Sequence, residues 1–184
     1  MKSILIITLL SCFCAVYEAK IFSKCKLAHM LKTKGMDGYH GYSLADFCSM
    51  SRGSWMGTVR TEGEAVSDEV QEGPKSLCHR LIRVCMAQYE SNFNTRAFNG
   101  KNANGSSDYG LFQLNSKWWC KNSHHSSANA CNIMCSKFLD DNINDDIVCA
   151  KRVVRDPKGM SAWMAWVKHC KGKDLSKYLA SCKL

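Results

Sequence analysis

Apolar residues Leu27, Met30 and Leu31 recur at helical spacing among lysines over residues 24–34, with Gly35 behind them as a stop. The spacing predicts a first helix. Residues 48–74 lose this order: Gly53, Gly57, Gly63 and Gly73 are scattered through polar sequence ahead of Pro74, which reads as a long irregular loop. From Lys75 a helical period resumes in Leu77, Leu81, Val84 and Gln88 and runs to about Ser91. Residues 98–115 place the turn-rich Asn102-Ala103-Asn104-Gly105 between Phe98 and the segment Tyr109-Gly110-Leu111-Phe112-Gln113-Leu114. That arrangement predicts a small β-hairpin region. Further helices are expected at 132–139, 145–155 and 160–170, the last two separated by the turn Asp156-Pro157-Lys158-Gly159. Mostly helices with one small sheet makes an α+β class, and no internal repeat is visible.

The first residues stand apart from this pattern. Lys2 precedes the apolar run Ile4-Leu5-Ile6-Ile7-Thr8-Leu9-Leu10, which is shorter than the ~20 residues that a bilayer span needs. Residues 1–19 therefore read as a secretory signal cleaved near Ala19, and residues 20–184 as one domain. No other candidate membrane segment follows, so stable membrane insertion is not expected. The net charge is +9, and removing residues 1–19 takes away Lys2 and Glu18 and leaves it unchanged. A basic chain suits an anionic target. Bacterial envelopes, nucleic acids and acidic membranes all satisfy charge alone, but no interleaved aromatic and basic patches favour nucleic acid. Behind the signal stand ten cysteines, Cys25, Cys48, Cys78, Cys85, Cys120, Cys131, Cys135, Cys149, Cys170 and Cys182. An even number in a secreted chain argues for disulfides. Zinc fits less well, because there is no pair of CxxC spacings and no clustered Cys/His set.

Two acids carry the clearest chemistry. Glycoside hydrolysis needs one carboxyl group that is protonated at working pH and one that is ionised. Glu90 follows Met86, Ala87 and Tyr89, whereas Asp108 follows Asn104, Gly105, Ser106 and Ser107. Apolar and polar surroundings differ in the sense that this division of labour requires. Taken alone, two such residues are more often ordinary surface acids. A second acidic group, Asp140, Asp141, Asp145 and Asp146, packs four carboxylates into seven residues of a basic chain. Oxygen ligands at this density suit Ca²⁺, without the glycine hinge or terminal glutamate of an EF-hand. The same acids also suit a helix start, where Asp145 and Asp146 would meet the positive end of the dipole. Asn104-Gly105-Ser106 matches a glycosylation acceptor and reads equally as an unmodified turn.

Three segments then point to a family. Cys85-Met-Ala-Gln-Tyr-Glu90-Ser-Asn-Phe-Asn, Gly105-Ser-Ser-Asp108-Tyr-Gly-Leu-Phe-Gln-Leu-Asn-Ser116 and Ala162-Trp163-Met-Ala-Trp166 resemble the c-type lysozyme motifs, in order and at family spacing. The likeness covers residues 20–47 and 84–184, and the acidic loop resembles that of the calcium-binding milk lysozymes and α-lactalbumin. The resemblance implies a lysozyme-like α+β fold, a helical lobe and a small β-hairpin lobe with a cleft between them, stapled by disulfides. It implies a secreted, monomeric, retaining glycosidase that cuts the β-1,4 bonds of bacterial peptidoglycan, with Glu90 as general acid and Asp108 as nucleophile or charge stabiliser. The implied saccharide-binding residues are Gln113, Asn115, Trp118, Trp119, Asp156, Ala162 and Trp163, while Trp166 reads as core. The implied calcium ligands are the side chains of Asp140, Asp145 and Asp146 and the carbonyls of Lys137 and Asn142. The implied disulfides are Cys25–Cys182, Cys85–Cys170, Cys120–Cys135 and Cys131–Cys149.

One departure from the family stands out. Phe47 and Val84 should be neighbours in one helix, yet 36 residues, 48–83, stand between them. The expectation is that 48–74 loop out while 75–83 extend the catalytic helix from its N-terminal side in unbroken register. Cys48 and Cys78 have no family counterpart and can pair with each other. Three functional classes follow: an active muramidase, a non-catalytic calcium-binding regulator like α-lactalbumin, and a glycan-binding protein inactivated by the insert. Retention of Glu90 and Asp108 favours the first.

Overall fold

The computed structural model describes residues 19–36, 74–175 and 177–183, with the backbone alone for 74–79. The expected signal up to residue 18, the loop through residue 73, and the Cys48–Cys78 pairing lie outside the described residues. Helix α1 (Lys24–Thr33) starts where the Ser23 hydroxyl accepts from the Lys26 amide at 3.4 Å, and it buries Leu27, Ala28 and Leu31. It stops at Gly35, which takes φ +62° at little steric cost. Helix α2 spans Pro74–Ser91 without a break, one residue longer at its start than the period predicts. Proline is well suited there, since its missing N–H would be unbonded in a first turn anyway.

In this continuous helix Leu81, Val84, Cys85, Met86 and Ala87 are buried. The extension also buries Arg80 and Arg83, which share the inward face with Val84 and Ala87 by their three- and four-residue spacing. The apolar period had not marked those two positions. At its end α2 is closed by two successive left-handed residues, Asn92 (φ 50°) and Phe93 (φ 64°). The Phe93 carbonyl accepts from Phe22 and the Lys20 carbonyl from Thr95, so the N-terminal segment docks against the helix exit.

The hairpin region is a three-stranded antiparallel sheet of β1 (Phe98–Asn99), β2 (Asp108–Tyr109) and β3 (Leu114–Asn115). Its register sets Asn99 and Asn115 on either side of Asp108. The helix expected at 132–139 is a 3₁₀ turn, Cys135–Leu139. Asn129 and Asn132 have positive φ, Met134 is extended, and the Cys135 amide donates to the Lys121 carbonyl, so helical geometry begins only after that tie. Helix α3 is Asn144–Val154. The helix expected at 160–170 is divided into a 3₁₀ turn, Gly159–Ala162, and α4 (Met164–His169). Trp163 breaks it by taking an extended conformation in which the indole N–H reaches the Phe112 carbonyl at 2.8 Å. Disulfides Cys25–Cys182, Cys85–Cys170, Cys120–Cys135 and Cys131–Cys149 join these elements, the same pairs that the family resemblance implies.

The core runs from Leu27 and Leu31 through Val84, Met86 and Phe112 to Phe138, Val153 and Trp166. One turn, residues 110–113, touches nearly every part of it. The Gly110 amide donates to the Ala97 carbonyl, the Leu111 carbonyl accepts from Ser91 Oγ at 2.7 Å, and the Phe112 carbonyl accepts from Trp163. Gly110 itself is confined. It has φ +74°, and a Cβ there would lie 2.1 Å from the Phe138 carbonyl oxygen and 2.8 Å from Asp146 Oδ1. Gly105, with φ +75°, has nothing within 4 Å of the same position. Gly110→Ala is therefore expected to destabilise by about 3 kcal/mol or more, strain and overpacking together, and Gly105→Ala by about 1 kcal/mol. Denaturant unfolding of the two variants beside the parent checks the difference.

Candidate functional site

Glu90 lies on the last turn of α2, where the buried residues Met86 and Ala87 leave its carboxyl only partly in contact with water. Helix α4 begins across from it, and the Ala165 amide in its first turn donates to Glu90 Oε1 at 3.2 Å. That amide has no partner within its own helix, so a carboxylate is a natural acceptor. Burial outweighs it. Loss of water raises the Glu90 pKa from 4.5 to about 7, the Ala165 bond opposes the rise, and the negative charge of Asp108 adds to it. Glu90 thus keeps a substantial protonated fraction at neutral pH.

Asp108 sits in a different environment. Asn115 Nδ2 donates to its Oδ1 at 2.6 Å, and Asn102 Nδ2 and Asn99 Nδ2 donate to its Oδ2 at 2.8 and 3.3 Å. All three are donations to carboxylate oxygens, so toward these amides the group acts as an acceptor only. The structure therefore brings the two acids within electrostatic reach of one another, one desolvated and one held by amides.

The other expected saccharide-binding residues occupy varied positions. Trp118 is half exposed with the Lys117 ammonium 5.4 Å from its ring, whereas Trp119 is half-buried. Trp163 is buried and held by Phe112, and Ala162 precedes it at the end of the 3₁₀ turn. Gln113 has φ +48° and commits its Nε2 to the Ala97 and Gly110 carbonyls. Asp156 accepts from the Lys158 amide at 3.4 Å. Asn115 faces Asp108. Trp166 is core, as its spacing suggests. Asn99, Asn102 and the Ala165 amide are site groups that the sequence did not mark. The first would have needed the strand register, the second the fold of its turn, and the third is a main-chain atom with no side-chain signature.

The acidic loop lies behind the sheet. Asp141 turns away, accepting from Thr95 Oγ1 at 3.0 Å and pairing with Arg96 at 3.6 Å. Asp140 Oδ1 accepts from the Asn142 amide at 2.7 Å. Asp145 and Asp146 stand in the first turn of α3, and Asp146 is 1% exposed. Both oxygens of Asp146 and Oδ1 of Asp145 are buried with no hydrogen-bond partner of normal geometry. Burial pushes the Asp146 carboxyl up to about 9, with the charges of Asp145 and Asp140 adding and the amides of Asp146 and Leu111 opposing. Asp145 is raised as well, mainly by burial, then by Asp140, against its own amide, that of Asp146 and Lys137. A helix dipole accounts for acids at this position but not for buried carboxylate oxygens that no hydrogen bond of normal geometry satisfies. Among the described residues, no three His, Cys, Asp or Glu side chains converge as a metal-holding group.

Comparison with known proteins adds three findings. Residues 75–182 match the model of the C-type lysozyme/alpha-lactalbumin family. The chain is 65% identical over 165 residues to "Lysozyme C, milk isozyme" of Canis lupus familiaris, covering 90% of this chain and all of that one. Among solved structures it resembles recombinant wild-type canine milk lysozyme of the apo type, with TM-score 0.66 at 65% identity, and a calcium-binding lysozyme from equine milk, with TM-score 0.65 at 63% identity. Each covers 90% of this chain and 100% of its own.

Proposed function

Because the chain belongs to the C-type lysozyme/alpha-lactalbumin family, we propose that Glu90 and Asp108 carry its chemistry on peptidoglycan. The protein is a bacteriolytic glycoside hydrolase of the lysozyme type. The single observation that carries the residue assignment is the contrast between the two acids: Glu90 is desolvated and raised to about 7, and Asp108 is held by three amide donors. Hydrolysis follows the retaining course for which lysozyme is the type case. Glu90 gives its proton to the bridging oxygen as the C1–O bond breaks, and Asp108 meets the positive charge developing at C1. A water then attacks C1, with Glu90 taking its proton and returning to the acid form. Trp118, Trp119, Gln113, Asn115, Asp156 and the main chain of Ala162 bind the flanking sugars, flat apolar faces on the two tryptophans and hydroxyls on the polar groups, while the buried Trp163 packs beside Glu90. Both acids come from one chain, so a monomer suffices. The disulfides and the basic charge suit secretion toward an anionic bacterial wall.

The buried, donor-poor oxygens of Asp145 and Asp146, with Asp140, fit Ca²⁺, and the carbonyls of Lys137 and Asn142 complete the proposed ligand set. Bound there, the ion neutralises carboxylates whose mutual repulsion opposes folding. It has no part in the proton transfers.

Two measurements test this reading. Glu90→Gln keeps the shape but has no proton to donate, so cell-wall clearance should fall about 10²–10⁴-fold while glycan binding survives. Clearance at the parental rate would refute the acid assignment. Calcium at a hundredfold excess over its dissociation constant should stabilise by about 2.7 kcal/mol, reversibly with chelator, in thermal unfolding. Asp145→Ala should lose that response, and a melting curve indifferent to calcium would leave the acidic loop as a helix start only.

A further inference from the structure

Two of the three amides around Asp108 are themselves oriented by a fourth group. Asn115 Nδ2 donates one proton to Asp108 and the other to Ser106 Oγ at 2.8 Å. Asn102 Nδ2 likewise divides its two protons between Asp108 and Ser106 Oγ, the latter at 3.2 Å. Asn99 Nδ2 gives its two to Asp108 and to Asn102 Oδ1 at 3.1 Å. Every amide proton in the cradle is thereby committed.

Ser106 is 1% exposed, and its hydroxyl has two lone pairs and one proton. Amide nitrogens only donate, so the two asparagines take both lone pairs. The hydroxyl proton must leave in a third direction, and one acceptor stands there: Asn104 Oδ1, 2.6 Å away. The same oxygen accepts the Ser106 amide at 3.0 Å, which fixes it in place. Without that acceptor the direction of the hydroxyl proton is no longer fixed, and a proton turned toward either amide would oppose that amide's donation to Ser106 Oγ and so release the orientation in which its other proton meets Asp108. The chain of orientation runs from Asn104, an exposed residue in the turn between β1 and β2, through buried Ser106, to both oxygens of Asp108.

We propose that Asn104 is a positioning residue for Asp108, acting through the Ser106 hydroxyl. This rests on the assignment of Asp108 to the reaction. Asn104 touches neither Asp108 nor the sugar. It determines which way the Ser106 proton points, and so whether Asn102 and Asn115 each aim one proton at Ser106 and the other at Asp108. A carboxylate preorganised in this way meets developing charge without reorienting its donors.

The test uses the full-length oxidised protein on a soluble chitooligosaccharide substrate, with kcat and KM measured separately and folding followed by thermal unfolding. Asn104→Ala should lower kcat about tenfold, the worth of about one net hydrogen bond, with KM within twofold of the parent. Asn104→Asp keeps the acceptor oxygen and should restore kcat. Ser106→Ala should lower kcat, and adding Asn104→Ala to it should cause no further loss, because the two residues act in series. Parental kcat in Asn104→Ala, a failed rescue by Asp, a change confined to KM, or independent multiplication of the two losses would each overturn the proposal. Asp108→Asn, run alongside, isolates the premise: if it turns over at the parental rate, the reading of Asp108 fails by itself.

Discussion

The arrangement depends on four residues of backbone, the turn from Gly110 to Gln113. Its carbonyls and amide are held by the end of the acid-bearing helix through Ser91, by the Ala97 segment, and by the indole of Trp163. Asp146 and the Phe138 carbonyl press on it from the acidic loop, at a distance that only a residue without Cβ permits. Because β2 enters this turn and β3 leaves it, Asp108 is positioned relative to Glu90 by main-chain bonds. Backbone groups buried in this way must be paired, and pairing them fixes the geometry.

From this junction the two carboxyl environments follow. Helix α2 ends against α4, contact with water is reduced at Glu90, and the one compensating donor, the Ala165 amide, does not offset the loss of solvation. On the other side a sheet of two-residue strands places Asn99 and Asn115 beside Asp108. The two strands leave Asp108 partly in contact with water, with amide donors on either side. The contrast in local composition between Glu90 and Asp108 already hinted at this, but only the helix–helix contact and the strand register make it physical.

Other parts of the fold were less legible along the chain. The periodic segments around Leu27 and Leu81 form helices α1 and α2, and the Asp156–Gly159 turn lies between the last two helical regions. Residues 132–139 and 160–170 failed as single helices because tertiary bonds intervened, the Cys135 amide to Lys121 in one and the Trp163 indole to Phe112 in the other. Periodicity carries no information about such bonds. The burial of Arg80 and Arg83 was equally hidden: a helix that continues backward from Val84 must place whatever residues stand there on its inner face. Helix α2 runs unbroken from Pro74 through Cys85 and Glu90, with Arg80 and Arg83 buried in its first half.

This fold raises the Glu90 carboxyl far enough that much of it is still protonated near neutral pH. Carbon-13 NMR of the full-length oxidised protein, with glutamate labelled at the side-chain carboxyl and Glu90→Gln used to assign the signal, measures it directly. The resonance of Glu90 should titrate with a midpoint at about 7. A midpoint near 4.5, the value of an ordinary glutamate, would contradict the account.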